Sequence, residues 1–263
     1  MFKQTMYDWP EYYDWTADGL ANDVNYYTDL AKQTGGPVLE LGCGTGRVSL
    51  AIAREGIRVV GLDQSESMLT QARKKANDLG FHDRIEWIHE NMSKFQINEK
   101  FPLIIIPYRS FLHLTSVREQ ILTLQRIRNH LTNNGLFAFN IFVPRLVEMV
   151  SIEGSKQFQG EFSIPGTDES VEIYDTTTFD HFHQLGYVQR YYERFSKEGV
   201  SIERIKTAMK FRYIFPTELE HLLTLCGFRI VKRYGTFTRE VFHAESKELI
   251  IEAKKCSNSE RKG

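Results

Sequence analysis

The sequence predicts an α/β fold: a doubly wound, mostly parallel sheet with a small antiparallel sheet inserted before its end. Strand-like and helix-like segments alternate through the first half. After Pro144 the texture changes to strands separated by short turns, and after Phe215 one helix and two strands return. Alternation of strand and helix builds a parallel sheet covered on both faces, whereas consecutive strands build a meander.

Taken in order, a helix is expected from Gly19 to Lys32, because Leu20, Val24, Tyr27 and Leu30 share one face. "PVLEL" reads as a buried strand, "GRVSLAIARE" as a helix stopped by Gly56, and "RVVGLD" as the second strand. "SESMLTQARKKANDLG" opens on a capping serine, Ser65, and closes on Gly80. "RIEWIHE" and "LIIIPY" are the third and fourth strands, "SVREQILTLQRIRNHL" a helix, and "LFAFNIF" the fifth strand. "SVEIYDTTTFDH", "LGYVQRYYERF" and "SIERIKTAMKFRYIF" form the meander, with turns at "HQLG" and "SKEG". Pro216 then starts a helix with Thr217 as its cap and Gly227 at its end, and "FRIVKRYG" and "KELIIEAKK" close the sheet.

The expected boundaries follow. Residues 1–148 and 214–256 form the core, with 1–18 as an aromatic N-terminal lid. Residues 149–213 form the inserted sheet, a substrate cover or the contact of a homodimer, and 257–263 a disordered tail.

The chain has 263 residues, 41% hydrophobic and 25% charged, enough for a sizeable core. A net charge of -1 gives no electrostatic signature of a nucleic-acid partner. The apolar runs "LIII" and "LFAF" are far shorter than a membrane span, and "MFKQTMYDWPEYYDW" has neither part of a signal peptide. The three cysteines have no metal or disulfide spacing, so a reducing cytoplasm is expected. His181 and His183 would share a strand face without a carboxylate or cysteine to complete a metal site, so no metal is expected.

The informative stretch is "ELGCGTG", residues 40–46, where a strand runs through Gly42, Gly44 and Gly46 into a helix. Glycine lets backbone approach a ligand closely. A dinucleotide loop carries G-x-G-x-x-G and seats a pyrophosphate on the helix N-terminus. Here the spacing is G-x-G-x-G, and Glu40 would repel a pyrophosphate while suiting an ammonium group. Asp63 ends the second strand, where a carboxylate can accept from ribose hydroxyls. The pattern asks for a nucleoside with a cationic arm.

With "VLELGCGTGRV", "VVGLDQSESML", "HENMSKF" and "IIIPYRSFLHL", the chain resembles the class I S-adenosylmethionine-dependent methyltransferases, and "FRYIFPTELEHLLTLCGFRIVKRYG" resembles the end of their small-molecule members. The resemblance implies a Rossmann-like seven-stranded sheet with a C-terminal β-hairpin, S-adenosylmethionine as cofactor, and S-adenosylhomocysteine as product. It implies that Gly42, Cys43 and Gly44 pass the methionine and ribose parts, with Glu40 near the ammonium and Asp63 on the ribose. Gln64 and Met68 would flank the adenine, and Met92 would cover its edge. Asn91 stands where the family has an aspartate, and its side-chain oxygen still accepts hydrogen bonds. Ile106, Pro107 and Tyr108 would end the fourth strand beside the sulfonium.

Methyl transfer needs in-line positioning more than a base, because the leaving group is already excellent. Candidates at the acceptor end are Tyr108, Arg109, His113 and Asn140: Arg109 for an anionic acceptor group and His113 as a base. By the resemblance, Tyr13 of the lid reaches the site, with Tyr7 matching less well. The expected function is methyl transfer to oxygen or nitrogen of a small molecule. A methyltransferase of RNA or protein, a nicotinamide oxidoreductase and a non-catalytic cofactor binder are the alternatives.

Overall fold

A computed structural model describes residues 5–256. The expected tail at 257–263 lies outside the described residues. The elements in chain order are α1 (Pro10–Thr16), α2 (Asp23–Thr34), β1 (Val38–Leu41), α3 (Arg47–Arg54), β2 (Val59–Asp63), α4 (Glu66–Asp78), β3 (Ile85–His89) and β4 (Phe101–Ile106). There follow α5 (Val117–His130), β5 (Leu131–Phe142), α6 (Leu146–Ile152), β6 (Lys156–Ser163), β7 (Ser170–Asp180), β8 (Leu185–Phe195), β9 (Ser201–Arg212), α7 (Pro216–Leu225), β10 (Phe228–Tyr234) and β11 (Glu248–Lys255). They form two compact units: one takes in the segment up to Asp18 with Arg145–Tyr213, the other Gly19–Pro144 with Ile214 onward.

The larger unit holds a seven-stranded sheet in the order β10-β11-β5-β4-β1-β2-β3. β1 pairs parallel with both β2 and β4, so the strand order reverses there. Ligands of open α/β sheets bind outside the carboxyl ends of strands at such a switch point. β11 runs antiparallel to β5 and to β10, which is the closing hairpin. The strands read as continuous apolar runs because both faces are covered: Val38, Leu39, Val59, Leu103, Ile105 and Phe137 are all fully buried.

Local signals set the helix ends. The Ser65 hydroxyl accepts from the Met68 amide at 3.3 Å. Ser116 and Glu119 form a reciprocal capping box that starts α5. Two expectations are corrected. Helix α2 begins at Asp23, not Gly19, because Gly19 (φ 91°) and Asn22 (φ 66°) are left-handed and cannot continue a helix backwards. A Cβ on Gly19 would also lie 2.3 Å from the Arg47 guanidinium carbon. In α7 the cap position is Phe215, with no side-chain bond, and Thr217 lies inside the helix.

The smaller unit is a four-stranded antiparallel sheet, β6-β7-β8-β9. Its first strand, β6, joins the three that the alternation predicts. Along β7 to β9 one face is apolar: Val171, Ile173, Tyr192 and Ile205 pack with Tyr12 and Ile164 into a core of their own. The aromatic N-terminal segment belongs to this unit. The Tyr12 hydroxyl donates to Glu203 at 2.5 Å, and its ring lies 5.4 Å from that of Tyr192. Burial first, then Glu203, pushes the Tyr12 hydroxyl up to about 12, so it remains a donor at neutral pH. His181 and His183 occupy the β7–β8 turn instead of a strand face. His181 pairs with the Tyr213 hydroxyl at 2.8 Å and His183 with Asp180 at 2.7 Å. Among the described residues no cluster of metal-ligating side chains occurs. No described helix is long and apolar enough to cross a membrane.

Candidate functional site

The site is built at the carboxyl ends of β1, β2 and β4 in the larger unit. Gly42, Gly44 and Gly46 all have positive φ, at 72°, 56° and 84°. They are glycines for different reasons. A Cβ on Gly42 would meet Ser110 Cβ at 2.8 Å, and one on Gly46 would meet the Trp87 ring at 2.6 Å. A Cβ on Gly44 would meet nothing within 4 Å. Gly42 and Gly46 are therefore required by packing, while Gly44 presents backbone to open space.

The loop's amides are turned inward. Gly42 and Cys43 donate to the Leu62 carbonyl at 2.7 and 3.0 Å, Gly46 donates to the Cys43 carbonyl at 2.9 Å, and Gly44 donates to Asp63 Oδ2 at 2.8 Å. A phosphate-binding loop needs such donors free for its anion. These four are already used. Asp63 Oδ1 also accepts from the Ser65 amide at 2.9 Å. Burial raises the Asp63 pKa, and the amides of Ser65, Gly44 and Gln64 oppose the rise.

Beneath the loop, Glu40 is 2% exposed and accepts from the Ser49 hydroxyl. Burial pushes its carboxyl up to about 7, against the pull of Ser49 and of the Arg47 charge. Arg47 makes a bidentate pair with buried Asp23, at 2.8 and 2.6 Å, and its guanidinium carbon stands 5.5 Å from the Tyr108 ring centre. The Cys43 thiol is buried, and desolvation pushes it well upward, which disfavours its thiolate form.

On the β2–β3 side, Asn91 Nδ2 donates to Gln64 Oε1 at 3.1 Å. Asn91 Oδ1 accepts from the Ser93 amide and hydroxyl at 2.8 and 2.7 Å. Both of its lone pairs are engaged locally, because an asparagine oxygen readily closes a turn on the amide two residues on. Met68 is fully buried in the first turn of α4. The Met92 methyl lies 3.3 Å from where a Gly42 Cβ would stand, against the start of the loop.

Strand β4 ends in buried Pro107 and then two left-handed residues in succession, Tyr108 (φ 54°) and Arg109 (φ 64°). Each such non-glycine residue costs roughly 1–2 kcal/mol, so the turn must be held by its surroundings. It is held by a polar network. Asn140, fully buried on β5, accepts from the Tyr27 hydroxyl at 3.2 Å and from the Arg109 amide at 3.4 Å. Its Nδ2 donates to Glu248 Oε2 at 2.9 Å, and Arg109 Nε donates to Glu248 Oε1 at 2.9 Å. The Ser110 hydroxyl donates to the Pro107 carbonyl at 2.9 Å and approaches the Gly42 carbonyl at 3.4 Å, linking this turn to the glycine loop.

The structure thus brings Glu40, Gly42, Cys43, Gly44, Asp63, Pro107 and Tyr108 around one switch point, with Gln64, Asn91 and Met92 alongside. Arg109 is paired with Glu248, and Asn140 is wholly buried, so both build the turn. His113 is half-buried in the short 3-10 segment Ser110–His113. Tyr13 lies on α1 in the smaller unit, its ring 6.2 Å from that of Tyr7. Sequence reading missed Arg47, Asp23, Tyr27 and Glu248. Arg47 had a signal, as the first residue after the glycines. Glu248 had none, since an acidic residue before an apolar strand is ordinary.

Comparison with known proteins fits this geometry. Residues 38–135 match a family profile described as a methyltransferase domain. YqeM of Bacillus subtilis (strain 168), a protein named as a methyltransferase, is 25% identical over 227 residues, 84% of each chain. Among solved structures, the CcbJ methyltransferase of Streptomyces caelestis superimposes with a TM-score of 0.80 at 23% identity, covering 97% of this chain and 100% of the other. CalS10 of Micromonospora echinaspora, an amino pentose methyltransferase solved with S-adenosylmethionine bound, gives 0.70 at 15% identity, covering 97% and 98%. Residues 38–135 are a methyltransferase domain on a Rossmann-like sheet. Over nearly its whole length the chain resembles solved methyltransferases in fold.

Proposed function

We propose that the protein transfers the methyl group of S-adenosylmethionine to an oxygen or nitrogen of a small-molecule acceptor, mainly by proximity and in-line positioning. The observation that carries this reading is the glycine loop: its amides are used internally, Gly44 opens to space, and the Asp63 carboxylate stands beside it. That arrangement suits a nucleoside with a cationic arm and gives no cradle to a pyrophosphate. Bound S-adenosylmethionine supplies an electrophilic methyl group on a sulfonium. Gly42 and Gly44 would hold its methionine and ribose parts, Asp63 its ribose hydroxyls, and Glu40 the ammonium end. Gln64 and Met92 would border the adenine. Asn91 would accept, and Met68 would make contact, only after rearranging, because the Asn91 oxygen is engaged twice and Met68 is buried.

Tyr108 and His113 are the groups we assign to the acceptor end. Arg109 would act by holding the turn, since its Nε donates to Glu248. A small-molecule acceptor is supported by the likeness to CalS10, whose own acceptor is an amino pentose. Three free cysteines support a reducing, cytoplasmic setting. The test is release of S-adenosylhomocysteine from S-adenosylmethionine with a panel of amino sugars, amines and alcohols, and in parallel with transfer RNA and a protein extract. Turnover with a small molecule is expected. Turnover with RNA or protein alone would overturn the acceptor class, and no turnover despite cofactor binding would favour a cofactor-binding protein without catalysis.

A further inference from the structure

We infer that Asn140 is a positioning residue for the acceptor end of the site, acting through the Tyr108–Arg109 turn. The inference rests on the methyltransferase reading above. Two consecutive left-handed residues do not persist without an external hold, and the Arg109 amide gives its hydrogen to one atom, Asn140 Oδ1, at 3.4 Å. That carboxamide is itself fixed from two sides, by the Tyr27 hydroxyl and by Glu248. Glu248 also takes the Arg109 side chain, so one buried amide and one carboxylate grip both the backbone and the guanidinium of the same residue. The product of that grip is the place of Tyr108, whose ring lies 5.5 Å from the Arg47 guanidinium carbon at the start of α3. Asn140 thereby ties the end of β4 to the helix that follows the glycine loop.

The chemistry offers a specific test. Asn140→Asp sets a second carboxylate against Glu248 and breaks the grip. Adding Glu248→Gln exchanges amide and carboxylate between the two positions, keeps the charge, and restores every hydrogen bond of the network. The full chain is measured in all three forms, by calorimetry with S-adenosylhomocysteine and by the 15N resonance of Arg47 Nε, which feels the Tyr108 ring. Asn140→Asp is expected to weaken binding by about tenfold and to move the Arg47 resonance, and the double variant to return both to within about twofold of the original. If Asn140→Asp does not fold, the double variant must fold and show the original resonance and affinity. Unchanged affinity and resonance in Asn140→Asp would overturn the inference, as would a double variant no better than the single one. Failure of the unaltered protein to bind S-adenosylhomocysteine would instead strike the methyltransferase reading, while the Arg47 resonance still reports on the turn.

Discussion

The Asp63 carboxylate joins β2 to the glycine loop by accepting the Gly44 amide hydrogen at 2.8 Å. One residue supplies the acidic strand end, the other the open backbone, and the bond makes them a single feature. Asp63→Asn keeps an acceptor for Gly44 but loses the charge and the bond that Oδ1 accepts from the Ser65 amide. It is expected to bind S-adenosylmethionine about ten- to a hundredfold more weakly while melting within a few degrees of the original protein. Calorimetry and a thermal melt on the same sample check this, and equal affinity would remove Asp63 from the site.

The three glycines of the loop should respond differently. Gly46→Ala drives a methyl into the Trp87 ring, 2.6 Å away, and is expected to cost about 1–3 kcal/mol by overpacking in addition to left-handed strain of about 1–2 kcal/mol. Gly44→Ala meets no atom within 4 Å and bears only the left-handed strain of about 1–2 kcal/mol. Gly44→Ala should therefore fold but lose cofactor affinity out of proportion to its loss of stability. Denaturant unfolding paired with cofactor titration separates the two effects.

Glu40 gives the protein a pH dependence of definite sign. Its carboxyl is raised from an ordinary 4.5 to about 7 by burial. The folded state thus holds a proton that the unfolded state has released between those values. Stability from this group is present below pH 4.5 and is lost as pH rises through 7, by about 3 kcal/mol in total. Glu40→Gln keeps an acceptor for Ser49 and should flatten that part of the profile. The check is the difference between the two proteins' unfolding free energies from pH 4.5 to 8. A difference that does not change with pH would refute the burial argument.

Within the smaller unit, Tyr12 fastens the N-terminal helix to the antiparallel sheet through Glu203 and the Tyr192 ring. Tyr12→Phe keeps the ring and loses the hydroxyl, at a cost of about 1 kcal/mol. Amide hydrogen exchange in residues 10–16 should then quicken by roughly fivefold, since the helix opens more often against its sheet. Unchanged exchange would mean that the rings alone hold the helix.

The parallel half of the fold was legible because its strands are buried on both faces and its helices announce their ends, as at Ser65 and Ser116. The antiparallel insertion was legible from alternation, which set the apolar face of β7 to β9. What the sequence hid were contacts between distant residues. Gly19 looks like a helix start until Arg47 is seen against it. His181 and His183 look like strand neighbours until the turn places each beside its own partner. In the site, local spacing carried Glu40, the glycines and Asp63, since strand ends and loops are local. The roles of Asn91, Arg109 and Asn140 depend on Ser93 and Glu248, and no spacing rule links Asn140 to a residue on β11.

The most direct measurement is calorimetric titration of the purified protein with S-adenosylmethionine, S-adenosylhomocysteine, NAD and NADP. The account predicts one site filled by either of the first two, and no heat from the nicotinamide cofactors. Binding of NAD or NADP with none of S-adenosylmethionine would contradict it, because a loop whose amides face inward would then be seating a pyrophosphate.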